Sequence, residues 1–197
     1  MEHQFASHCA HFMRKHQIIQ EKEIAVYTYG FEVMFSSLVS VLLISVLSLL
    51  FRAPSAWIIF LIGFVPGRVT AGGYHASTQL RCHMIFSTAF VGLLLVRGYQ
   101  NFTPMFAVVT AIIELIAILC LSPIEAINKP LKQKVKLANR KRSIFFALFD
   151  LALAVLLGLH YVGWTDFMVI YYLSKWVMMI FMLLGCFEYM FCNKQNM

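Results

Sequence analysis

The chain has 197 residues, of which 60% are hydrophobic, 15% aromatic and only 13% charged, whereas soluble domains run at about 45–50% apolar and about 25% charged. A compact domain of this size has too much surface to hide so many apolar groups from water, and the mean hydropathy of +0.76 agrees; an ordinary soluble enzyme, a disordered chain and a disulfide-stapled secreted domain are excluded, leaving an integral membrane protein with several spans. The formal charge of +7, from 16 Lys+Arg against 9 Asp+Glu, fits loops beside anionic lipid and calls for no nucleic acid.

In chain order, residues 1–30 lack the short apolar core of a signal peptide. Phe5, Cys9, Phe12 and Ile19 recur on one helical face, which predicts an interfacial amphipathic helix with Arg14 and Lys15 at anionic lipid. The same face could dock an amphipathic peptide. Val33 to Phe51 gives nineteen uncharged residues, enough to cross a hydrocarbon core of about 30 Å. Ala53 to Gly67 and Cys82 to Val96 are uncharged runs of fifteen residues each, reaching only about 22 Å. Between them lies the polar stretch RVTAGGYHASTQLR, with helix breaks expected at Pro66-Gly67 and Gly72-Gly73.

Pro104 to Ser122 is a further span and carries Glu114. Residues 123–142 form a polar loop with Lys129, Lys132, Lys134, Lys136, Arg140, Lys141 and Arg142. Ser143 to Val162 is apolar except for Asp150 and His160, and Phe167 to Phe191 contains Lys175. The pattern predicts an all-α polytopic membrane protein, one domain over residues 1–197. It has about six hydrophobic helical segments, four full spans plus two short or re-entrant ones, behind the N-terminal interfacial helix. Placing both termini, the 68–82 stretch and the 123–142 loop in the cytosol puts thirteen basic residues inside against two outside, as the positive-inside rule asks.

His75 and Cys82 are the candidates for chemistry. Imidazole can deprotonate a thiol, and the thiolate can attack a carbonyl. On a straight helix the two would stand about 10.5 Å apart along the axis, beyond the roughly 3 Å that proton transfer needs. The chain must therefore bend between them. Ser77 or Thr78 supplies an N-cap for a new helix, whose first turn would hold Cys82, where the dipole and Arg81 attract negative charge. Taken alone, this spacing equally fits a small apolar cysteine beside an interfacial histidine. His75, Cys82 and His83 could also offer three metal ligands, but adjacent side chains such as Cys82 and His83 point in different directions, so neither a metal nor a cofactor is expected. The five cysteines form no CxxC pair. Glu114, Asp150 and Lys175 stand in apolar segments, where ionisable groups face a bundle interior or a cavity; they support a different reading, a small transporter or channel.

GRVTAGGYHASTQLRC resembles the signature of the accessory gene regulator B family, membrane endopeptidases of Gram-positive bacteria that mature quorum-sensing peptides. The resemblance rests on Arg68, Gly72-Gly73, His75 and Cys82, and SPIEAINKPL (residues 122–131) is similar to the family's cytosolic loop. It implies a catalytic dyad of His75 and Cys82, with supporting roles for Arg68, Gly72 and Gly73. It also implies a short propeptide substrate with an amphipathic leader, an internal Cys or Ser and an acidic tail, a bacterial cell-membrane location, and a homodimer. The tail could meet Lys129, Lys132, Lys134 and Lys136 electrostatically.

Overall fold

The computed structural model describes residues 2–74, 76, 78–99, 102–124, 132–159 and 166–195. Seven α-helices lie among them: α1 (Glu2–Lys15), α2 (Ile24–Leu50), α3 (Ala56–Ala71), α4 (Gln79–Tyr99), α5 (Pro104–Leu121), α6 (Gln133–Leu159) and α7 (Asp166–Gln195). α2, α4, α5, α6 and α7 are long and apolar enough to cross a membrane, and α3 is a shorter apolar helix. The protein is an all-α, multi-pass membrane protein.

α4 departs from the sequence expectation. Its uncharged run has fifteen residues, but the helix has 21, about 31 Å. The backbone N–H of Cys82 donates to the Thr78 carbonyl at 3.0 Å, and that of Arg81 to Thr78 Oγ1 at 3.3 Å. The cap thus draws Arg81, Cys82 and His83 into the first turn. At the other end Arg97 stays helical, with its guanidinium 3.3 Å from Asp166 at the start of α7. Long cationic side chains reach polar surroundings while their backbone remains in the helix.

α3 also runs on where a break was expected. It passes through Pro66 to Ala71, although proline removes a helical hydrogen bond. The helix is held from outside, because Gly63 and Gly67 form one face against α7. A Cβ on Gly63 would overlap Ser174 Oγ, and one on Gly67 would lie 2.9 Å from Met178 Cε. Close approach through small residues supplies packing where lipid removes the hydrophobic drive between helices. The helix does end at Gly72 and Gly73, with φ of +80° and +131°, which glycine adopts without a Cβ clash.

α7 is the hub, packed against α3, α4 and α5, and α6 covers α5 and α3. Phe60 and Phe64 of α3, Phe90 of α4 and Phe181 of α7 form an edge-to-face cluster, with centroids 5.1 Å apart for Phe60–Phe90 and 5.6 Å for Phe64–Phe181. This fixes α3 and α4 on α7, and so positions both ends of the 72–78 turn. α1 is helical as expected, and the side it turns to α2 is not the Phe5 and Phe12 side expected at the interface. It packs on α2 through Ala6 and Ala10, while Phe5 and Phe12 point outward. Alanines permit the closer helix contact.

Candidate active site

The turn between α3 and α4 is clamped from two sides. On one side the N–H of Ile124, just after α5, donates to the Ala71 carbonyl at 2.8 Å, and a Cβ on Gly72 would overlap the Ile124 carbonyl. The two segments that carried the family resemblance therefore touch. On the other side the N–H of Tyr74 donates to the Phe181 carbonyl of α7 at 2.8 Å. A Cβ on Gly73 would stand 2.9 Å from that carbonyl oxygen and 2.8 Å from Arg68 Nη1. Arg68 closes the turn: its Nη2 donates to the Tyr74 carbonyl, and its guanidinium carbon lies 5.8 Å from the centroid of the Phe181 ring.

Cys82 is an exposed, free thiol in the first turn of α4. His75 and Ser77 lie outside the described residues, as does Lys129. The flanking Tyr74 and Ala76 are non-helical. His83 is buried beside Cys82. Its Nδ1 lies 2.9 Å from Ser40 Oγ and its Nε2 3.5 Å from Ser36 Oγ, both on α2. The ring is committed to α2 rather than to a metal shared with Cys82.

Of the lysines suggested for the acidic tail, Lys132 and Lys134 are exposed. Lys136 is half-buried and lines a cavity of about 190 Å³ with Ile124, Cys186 and Tyr189. Ile124 is the residue that pairs with Ala71 and Gly72. A larger apolar cavity, about 770 Å³, lies between α4, α5 and α7 and is lined by Leu93, Val96, Phe106, Trp176 and Phe181. Phe181 thus borders both the turn and the cavity.

Sequence reasoning missed Gly185. A Cβ there would come 2.5 Å from Tyr74 N and 2.6 Å from the Gly73 carbonyl carbon, so α7 needs a glycine where the turn crosses it. A lone glycine in an apolar helix was the available signal. Glu114, Asp150 and Lys175, read as possible transport groups, face one another in the bundle interior: Lys175 Nζ is 2.5 Å from Asp150 and 3.5 Å from Glu114.

Fold and turn together define a multi-pass membrane protein that presents a glycine-turned cysteine motif at one end of its helix bundle. The family model for accessory gene regulator B (AgrB) matches residues 6–191, and the chain belongs to that family. Its place is in the accessory gene regulator system, in the maturation of quorum-sensing peptides. No curated protein and no solved structure matches the chain.

Proposed function

We propose that the protein is a membrane-embedded cysteine endopeptidase that removes the C-terminal tail of a short propeptide and leaves it poised to cyclise. The observation that carries the reading is the clamped 72–74 turn, which ends in a capped helix bearing Cys82 in its first turn. Free N–H groups and the dipole at that end favour a developing thiolate.

In this mechanism the Cys82 thiolate attacks the peptide carbonyl that precedes the tail. The C–N bond breaks, His75 gives its proton to the leaving amine, and an acyl-thioester remains on Cys82. A thiol within the substrate then attacks the thioester and closes a thiolactone, returning the thiolate to Cys82; a substrate serine would give a lactone. Thioester exchange is nearly balanced, while hydrolysis is strongly downhill, so water must be kept out. The stretch expected as a loop over 123–142 is helical from Gln133 on, and Lys136 of α6, which lines a cavity with Ile124, is the lysine assigned here to an acidic tail. Both termini and the motif face the cytosol in this reading, where propeptide is made. The test is co-expression with the propeptide: Cys82→Ala and His75→Ala should each abolish tail removal while the protein still inserts at normal levels. Normal processing by Cys82→Ala would overturn the proposal.

A further inference from the structure

Glu114 on α5, Asp150 on α6 and Lys175 on α7 are each about 1% exposed. Their contacts are unequal. Asp150 is engaged at both carboxylate oxygens, with Lys175 Nζ 2.5 Å from Oδ2 and the Tyr171 hydroxyl donating to Oδ1. Tyr172 also donates to the Asp150 carbonyl, at 3.4 Å. Glu114 is left over: Lys175 Nζ stands 3.5 Å from its Oε1, and neither Oε1 nor Oε2 accepts a hydrogen bond. One turn before it on α5, Thr110 Oγ1 accepts the indole N–H of Trp176 at 3.0 Å.

The charges do not cancel if every group is in its ordinary form. Two carboxylates and one ammonium leave one negative charge in a cluster shut off from water, at a depth where lipid surrounds the bundle. An uncompensated charge there is strongly disfavoured. From this arrangement we infer that Glu114 is a proton-binding site inside the bundle, its bound proton making the Glu114–Asp150–Lys175 cluster neutral. The geometry selects Glu114 over Asp150, because Asp150 is the carboxylate that the ammonium and the Tyr171 hydroxyl already satisfy. It selects a proton over a metal cation for two reasons. A hard cation needs several converging oxygens, and here Asp150 is already engaged at both. The Lys175 ammonium, 3.5 Å from Oε1, would also repel a second cation. Among the described residues, the titratable groups that interact with Glu114 are Asp150 from α6 and Tyr171, Tyr172 and Lys175 from α7. Of these only Asp150 and Lys175 carry charge.

Infrared spectroscopy of the full-length protein in bilayers at neutral pH tests this. The wild type should show a protonated-carboxyl C=O stretch that shifts in deuterium oxide. Glu114→Gln, an isostere of the protonated acid, should lose that band and keep the wild-type melting temperature. The band should survive in the Asp150→Asn/Lys175→Met pair, which removes the other buried charges together. Absence of the band at neutral pH, or its survival in Glu114→Gln, would overturn the inference. So would a melting temperature that rises with sodium at constant ionic strength in the wild type but not in Glu114→Gln, since that would make the ligand a metal cation.

Discussion

The backbone N–H of Tyr74 donates to the carbonyl of Phe181, 2.8 Å away on α7. That bond lays the glycine turn across α7 at the one place where Gly185 leaves room for it. Gly73→Ala and Gly185→Ala should therefore push the turn off α7 and lower tail removal at least about tenfold, the rate equivalent of about 1.4 kcal/mol. Gly92→Ala, where a Cβ meets nothing within 4 Å, should process normally. Tail removal per amount of membrane-inserted protein decides it; equal rates for Gly185→Ala and Gly92→Ala would mean that the turn is not held this way.

Much of this was legible in the sequence, and the exceptions have physical causes. Apolar runs between charges located every long helix, because lipid enforces them. Counting between charges shortened α4, since a charged side chain at a membrane rim does not end a helix; its cap at Thr78 does. Pro66 read as a break because the compensating contact of Gly63 and Gly67 with α7 is tertiary. The motif residues were visible, but their support was not: Phe181 acts through its carbonyl, and Gly185 through the absence of a side chain.

His83 ties the first turn of α4 to Ser40 and Ser36, and so sets where its neighbour Cys82 points. His83→Phe should lower kcat for tail removal about tenfold with little change in KM. Ser40→Ala should lower it less, as one hydrogen bond is worth about 1 kcal/mol. Initial rates in proteoliposomes across propeptide concentration separate the two constants. A raised KM at unchanged kcat would point to substrate binding instead.

Among the described residues, Lys175 and Asp150 form the closest buried ion pair, at 2.5 Å. Lys175→Met alone leaves a buried carboxylate without its partner, a loss of about 3–5 kcal/mol. The Lys175→Met/Asp150→Asn double variant should lose less than the sum of the single changes. Thermal unfolding in detergent measures the cycle, and additive losses would contradict the pairing.

The proposed orientation rests on the charge split between the two sides. In a background without native cysteines, a cysteine at Gln100 should react with an impermeant thiol reagent in sealed cells, and one at Gln133 should not. Equal labelling would contradict a cytosolic basic loop.

The covalent intermediate tests the central claim most directly. The purified protein, mixed with propeptide and stopped in acid, is read by intact and peptide mass spectrometry. The account predicts an adduct on Cys82 equal to the propeptide less its tail, released by hydroxylamine and absent from Cys82→Ala. Tail removal at the wild-type rate by Cys82→Ala, with no adduct on the wild type, would contradict it.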